Sequence, residues 1–111
     1  MSGMGGKRTV LEIASRMAFA RKILLHTPIS DERLLDDFVE QCLKDGVEIV
    51  AVFGPGCARI EDLIDWIVVG DGSDDGRFLL TSSHPRDSLE DVMNMLGVEM
   101  TSHASVQEVR L

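Results

Sequence analysis

Apolar and polar positions alternate along the chain with two different periods, and this alternation predicts strands and helices in turn. RKILLHTP (21–28) is a short apolar run closed by a proline, as expected of a first strand. In SDERLLDDFVEQCLKDG (30–46) the apolar residues recur every three or four positions, which predicts an amphipathic helix. Ser30 is its expected N-cap and Gly46 its expected end.

The middle of the chain repeats this order. VEIVAVF (47–53) is a nearly continuous apolar run, typical of an interior strand in a parallel sheet. After GPGCAR, the residues IEDLIDWIVVG (60–70) carry a helical stripe, although their β-branched end also suits a strand. If this end is helical, Trp66 and Val69 project away from the core stripe. An outward Trp66 is then either covered by a neighbouring segment or part of an oligomer or partner contact, and we expect both residues at such an interface.

The last third of the chain predicts two more units. RFLLTSS (77–83) reads as a third strand, and Ser88 with Asp91 resembles a capping box before a helix that ends at Gly97. SVQEVRL (105–111) alternates as a closing edge strand. With an amphipathic helix predicted over TVLEIASRMAFA (9–20), the elements form an α/β sandwich. We expect a mostly parallel four-stranded sheet with helices on both faces, of the flavodoxin-like or Rossmann-like kind.

Composition narrows the class of protein. The 111 residues suit one domain, which we place at residues 9–111 behind a flexible stretch at 1–8. No apolar run is long enough to cross a membrane. Two cysteines make no disulfide framework, so we expect a protein of the cytoplasm. The net charge is −8, with +4 on residues 1–22 and −12 on the remainder. An acidic body disfavours nucleic acid as a partner.

Three loops are expected to meet at the carboxyl ends of the strands, where α/β sheets bind ligands. They are His26-Thr27-Pro28, Gly54-Pro55-Gly56-Cys57 and Ser82-Ser83-His84-Pro85-Arg86. Gly54 and Gly56 allow backbone amides to approach an anion at the start of a helix. The loop nevertheless lacks the spacing of a P-loop or a dinucleotide fingerprint. A plain strand-to-helix turn is therefore the alternative.

Cys57 is the more specific candidate for a catalytic residue, because a thiolate is stabilised at a helix N-terminus. His84 would be its base, with Ser82 or Ser83 as a hydrogen-bonding neighbour and Arg86 as a charge for an anionic ligand. No signature of a cysteine hydrolase, a tyrosine phosphatase or a C-x-x-C redox protein is present. A structural thiol remains the alternative.

Metal binding and cofactors find little support. His26, His84 and His103 match no short ligand spacing with Cys57. The turn that contains Asp71, Ser73, Asp75 and Gly76 opens like an EF-hand loop, but its twelfth position is Ser82 where that loop needs a glutamate. We expect ordinary surface features here, and no metal or cofactor.

The segment FLLTSSHPRDSLEDVMNML (78–96), together with DWIVVGDGSDDGR (65–77), resembles a family of small uncharacterised bacterial α/β proteins. The shared pattern, Thr-x-x-His-x-x-x-Ser-Leu-Glu, falls on Thr81, His84, Ser88, Leu89 and Glu90. The resemblance covers roughly residues 45–97. It implies an α/β fold and a bacterial origin, and brings no established activity. Pro85 and Arg86 stand where the pattern leads us to expect acidic residues.

Two functions follow as hypotheses. The first is a non-enzymatic cytoplasmic module that binds a protein partner or a second copy of itself, for which Trp66 and Val69 are the interface residues. The second is a small anion- or phosphate-binding domain with Cys-His thiol chemistry. Its residues would be Gly54, Gly56, Cys57, Ser83, His84 and Arg86.

Overall fold

Strands and helices alternate in the computed structural model, which describes residues 18–74, 76–98 and 106–111. The elements in chain order are β1 (Lys22–His26), α1 (Leu34–Asp45), β2 (Ile49–Phe53), α2 (Cys57–Val69), β3 (Leu80–His84), α3 (Leu89–Val98) and β4 (Val106–Arg110). Most of the helix predicted over residues 9–20, the stretch 1–8, Asp75 and His103 lie outside the described residues. Within them, no helix is both long and apolar enough to cross a membrane.

The four strands form one parallel sheet in the order β3-β2-β1-β4. The apolar run 47–53 yields β2, which pairs on both sides, so its prediction as an interior strand is confirmed. Among the described strands, the closing strand β4 pairs only with β1 and lies at an edge of the sheet, as predicted. The expected α/β fold with a mostly parallel four-stranded sheet is confirmed, and every described strand pair is parallel.

Two hydrophobic clusters cover the two faces of this sheet, because alternate strand residues point to opposite sides. The larger cluster joins α1 and α2 to one face through Phe38, Ile64 and Val52, among others. The smaller cluster joins α3 to the other face through Val92, Leu96 and neighbouring strand residues. The helices therefore lie on both faces, which gives the predicted three layers.

The observed helix ends agree only in part with those predicted from residue type. Ser30 is not the N-cap of α1, because the chain after Pro28 remains irregular and the helix starts only at Leu34. The carboxylate of Asp31 instead accepts hydrogen bonds from the backbone and side chain of Arg33. Gly46 does end α1 in a left-handed conformation, with φ +79°.

Two other boundaries differ from the prediction and one open question is decided. α3 runs through Gly97 to Val98, although its start is as expected, since Ser88 Oγ accepts the Asp91 amide at 3.1 Å. The end of α2 is helical through Val69, so Trp66 lies on a helix. β3 begins at Leu80 and not near Arg77, whose side chain turns back to the end of α2.

Candidate functional site

A cavity of about 500 Å³ opens at the carboxyl ends of β2 and β3. This is the edge at which parallel sheets place their ligands. Two of the three predicted loops, those after β2 and β3, form the cavity together with the start of α2. Its lining residues are Phe53, Gly54, Pro55, Gly56, Cys57, Ala58, His84, Pro85 and Asp87.

The glycine loop takes its shape from two left-handed residues. Gly54 has φ +121° and Gly56 has φ +70°, conformations that residues with a β-carbon rarely adopt. Gly54 also packs directly on Thr27, the residue after β1. The chain can then turn at once from β2 into α2, and Cys57 becomes the first residue of that helix. The β1 loop thus supports the cavity from behind and does not line it.

His84 lies in a chain of three hydrogen-bonded side chains. Its Nδ1 is 2.8 Å from Oδ2 of Asp87, and its Nε2 is 2.8 Å from Oγ of Ser82. A carboxylate only accepts, so in neutral His84 the Nδ1–H donates to Asp87 and the bare Nε2 accepts the hydroxyl of Ser82. The carboxylate of Asp87 thus holds the ring of His84 in one orientation, with Nε2 left without a proton. A general base has this arrangement of hydrogen bonds.

The predicted catalytic pair shares the cavity, but His84 forms hydrogen bonds with Ser82 and Asp87. Cys57 and His84 both line the cavity, and so do Gly54 and Gly56. The base nitrogen of His84 is engaged by Ser82. Cys57 is itself only 2% exposed, which restricts a ligand's access to the sulfur.

The other two predicted ligand residues do not line this cavity. Ser83 pairs with Val52 in register, and so it points to the sheet face covered by α1 and α2. Arg86 is exposed in the loop and is absent from the lining. His26 is also engaged elsewhere, since its Nε2 lies 2.7 Å from Oε1 of Glu108 on β4.

The second thiol, Cys42, is a core residue. It is fully buried on the inner face of α1, and burial raises the pKa of its thiol far above the ordinary value. This agrees with its expected place in the apolar stripe of that helix.

A second surface lies on the outer side of α2. Trp66 is 73% exposed there and Val69 is 54% exposed, because the buried stripe of this helix runs along Ile60, Ile64 and Val68. An exposed indole of this extent is unusual on the surface of a small domain and is typical of contact sites.

Trp66 borders an open cleft of about 580 Å³ between α1, the end of α2 and the turn after it. Four carboxylates and one guanidinium line this acidic cleft: those of Asp36, Glu40, Asp71, Asp74 and Arg77. Arg77 binds Glu40 through two hydrogen bonds of 3.0 and 2.7 Å, and it also donates to the carbonyl oxygens of Ile67 and Val68. It therefore ties α1 to the last turn of α2.

These carboxylates do not gather into a metal site. Across the described ranges, no group of three or more His, Cys, Asp or Glu side chains could hold a metal ion. The turn that resembles an EF-hand opening is instead closed on itself, since Oδ1 of Asp71 accepts from the amide and hydroxyl of Ser73.

Sequence reasoning missed two features of these sites. Asp87 is the partner that orients His84, and its spacing of three residues in the loop was the available signal. Arg77 closes the acidic cleft by contacts with Glu40, a residue 37 positions away. No local pattern predicts a contact of that kind.

Comparison with known proteins gives one match. No curated protein and no solved structure matches the chain. A family model described as "Domain of unknown function (DUF7684)" matches residues 6–110, nearly the whole sequence. The resemblance to an uncharacterised domain family is thereby confirmed, and the chain belongs to the DUF7684 family.

Proposed function

We propose that this protein is a non-enzymatic module of the bacterial cytoplasm that works by binding another protein or, as a homodimer, a second copy of itself. The contact surface is the outer side of α2 at Trp66 and Val69. The observation that carries the proposal is the 73% exposure of Trp66. Tryptophan is enriched in the cores of protein interfaces, where its burial contributes strongly to binding.

The rest of the surface supports the same choice. Val69, which is 54% exposed, continues the apolar surface one turn further along α2. The nearby cleft supplies the polar rim that non-obligate interfaces have around an apolar centre. Binding here needs no cofactor.

Sedimentation velocity tests self-association, with Trp66→Ala as the disruptive variant. Phe78→Ala is the matched control, since Phe78 is 70% exposed and lies outside the cleft lining. We expect Trp66→Ala to weaken a dimer at least about tenfold and Phe78→Ala to leave it within about twofold. If the wild type is monomeric, the same pair of variants is used to rank captured partners, and binding is measured again with the purified partner.

Two results contradict the proposal. One is a dimer or a purified complex that Trp66→Ala leaves unchanged. The other is a wild type that neither self-associates nor retains any protein in a way that depends on Trp66.

A second candidate function is favoured by the shared cavity at the ends of β2 and β3. Gly54, Gly56, Cys57 and His84 all line it, which suits a small anion such as a phosphate held at the start of α2. In this hypothesis the thiolate of Cys57 is the nucleophile and His84 is its base. Arg86 and Ser83 would contribute only by moving towards the cavity.

The pH dependence of Cys57 alkylation tests this candidate in a Cys42→Ser background, with and without inorganic phosphate. Alkylation that is half-maximal below about pH 7 and is slowed by phosphate supports a polarised thiol in an anion site. Alkylation that rises only above about pH 8.5 and ignores phosphate contradicts it.

A further inference from the structure

The charges of the acidic cleft beside Trp66 are out of balance. Asp36 and Glu40 come from α1, and Asp71 and Asp74 come from the turn after α2, whereas Arg77 is the only cation among the described residues that line the cleft. The hydrogen bond from Arg77 holds the pKa of Glu40 below its ordinary value. The side chain of Ser73 does the same for Asp71. The cleft is therefore strongly negative at neutral pH.

Arg77 has little capacity left for an anionic ligand. Its Nε donates to the carbonyl oxygen of Val68, and its two terminal nitrogens donate to Glu40 and to the carbonyl oxygen of Ile67. Only 23% of its side chain is exposed. The guanidinium is a structural brace, and what the cleft offers to a ligand is carboxylate oxygens.

Trp66 adds an aromatic surface in the same cleft. The face of an indole attracts an ammonium or a guanidinium, and the apolar stems of Lys and Arg pack against such a ring. Carboxylates around an exposed tryptophan therefore match one kind of group, a cationic side chain on an apolar stem.

A second copy of the chain fits this surface poorly. In a symmetric dimer each Trp66 surface meets its own copy, so four carboxylates would face four. Such a juxtaposition of like charges is unfavourable at an interface. A partner of opposite charge has no such penalty.

We infer that the occupant of the Trp66 surface is a basic segment of another protein, which places a Lys or Arg side chain over the indole of Trp66 and among the carboxylates of Asp36, Asp71 and Asp74. This inference rests on the proposed function and narrows it from any protein partner to a basic one.

The test uses the full chain and two designed helical peptides. One peptide carries Lys and Arg on one face and Leu on the other, and its twin has Glu in place of every basic residue. Trp66 is the only tryptophan in the sequence, so its fluorescence reports binding at this site directly. Calorimetry supplies the affinities of the variant that lacks the indole.

Two double variants separate the cleft from the overall charge. Asp36→Asn/Asp74→Asn removes two charges from the cleft. Asp37→Asn/Glu90→Gln removes two exposed charges outside it, so the net charge of the two proteins is equal. Circular dichroism confirms that both variants keep the fold.

We expect the basic peptide to bind at least about tenfold more tightly than its twin, and less tightly as salt is raised. The cleft variant should weaken binding about fivefold and the control variant less than about twofold. Trp66→Ala should weaken it about tenfold.

The contrary outcomes distinguish the basic-partner inference from the proposed binding surface. Equal loss in the two double variants means attraction by net charge alone and overturns the basic-partner inference. Equal binding of both peptides, with loss in Trp66→Ala, also overturns it but leaves the proposed binding surface standing. Failure of the basic peptide to bind, together with a dimer that depends on Trp66, assigns the surface to self-association and overturns the inference only.

Discussion

Gly54 and Thr27 stand in direct contact between the ends of β2 and β1. A β-carbon at Gly54 would lie 2.6 Å from both the carbonyl and the hydroxyl oxygen of Thr27. Thr27 is held in place by a hydrogen bond, since its amide donates to the carbonyl oxygen of Phe53 at 2.9 Å. Because Gly54 also lines the cavity at the strand ends, this close contact positions that part of the cavity lining.

Gly54→Ala should destabilise the protein by about 3 kcal/mol, since it combines a strained backbone with overpacking. Gly56→Ala is the matched control in the same loop. Its φ is +70°, but nothing lies within 4 Å of its β-carbon, so only the backbone term of about 1 kcal/mol remains. Urea unfolding of both variants measures the difference, and equal losses would rule out the contact as its cause.

Trp66→Ala should change the free energy of unfolding by less than about 0.5 kcal/mol, because most of the side chain is in water in the folded state. Phe38→Ala should cost about 3–5 kcal/mol, since Phe38 is fully buried and its ring lies 5.4 Å from that of Phe19. Chemical denaturation compares the two. A large loss in Trp66→Ala would mean that the indole serves the fold and not a partner.

The fold should lose stability in acid because of several carboxylates with lowered pKa values. The main cause in each is a side-chain hydrogen bond, given by Arg33, Arg59, Arg77 and Ser73 to Asp31, Glu32, Glu40 and Asp71, respectively. The folded state favours their ionised forms. Their contribution to stability is complete above the ordinary pKa values of Asp and Glu, and it is lost as the pH falls below them through the lowered pKa values of the folded state.

Glu40→Gln isolates one of these groups. Its thermal midpoint should lie below that of the wild type at pH 7, and the two should converge in acid as the wild-type Glu40, whose pKa is lowered by the Arg77 hydrogen bond, becomes protonated. Glu90→Gln, an exposed change on α3, serves as the control and should follow the wild type throughout. A gap that persists unchanged into acid would show that the Arg77–Glu40 contact does not carry the effect.

The two cysteines should differ in their reaction with iodoacetamide. Cys57 lines the cavity, whereas Cys42 lies inside the core with its thiol pKa raised by burial. We expect Cys42 to react only at the rate of global unfolding and Cys57 to react earlier. Mass spectrometry of peptides over a time course at pH 8 distinguishes them, and simultaneous labelling would be the contrary result.

Neutral His84 should carry its proton on Nδ1, where Asp87 accepts it, with Nε2 facing the Ser82 hydroxyl. Long-range ¹H–¹⁵N correlation spectra identify the tautomer directly. Ser82→Ala removes the Nε2 contact but leaves the Asp87 hydrogen bond, so the Nδ1–H form should persist in this variant. An Nε2–H tautomer in the wild type would mean that Ser82, and not Asp87, orients the ring.

The strands and helices were largely predictable because each carries its own pattern. β2 is uniformly apolar since both of its faces are buried, and α1 shows its stripe since one face is buried. The boundaries were harder. Ser30 and Gly97 are residue types that favour the ends of helices, but neither is a helix end. The chain before Leu34 is irregular, so α1 does not begin at Ser30. Similarly, α3 does not end at Gly97, because it continues to Val98.

The candidate sites were predictable only where loop position suffices. The carboxyl ends of parallel strands lie at the same edge of a sheet, and Cys57 and His84 both line the cavity at that edge. Which atoms bond there depends on side-chain directions that one sequence does not contain. Hence Ser82 and Asp87 took the hydrogen bonds of His84, and Ser83 points the other way.

The place of β4 beside β1 has a consequence for synthesis of the chain. His26 and Glu108, which form a contact, lie 82 positions apart in the sequence. During translation β1 and β2 emerge and can pair early, but among the described strands the partner for the other side of β1 is β4, which is made much later. A nascent chain therefore exposes an unsatisfied strand edge for most of its synthesis, and assembly of the sheet is completed only after translation of residues 106–110.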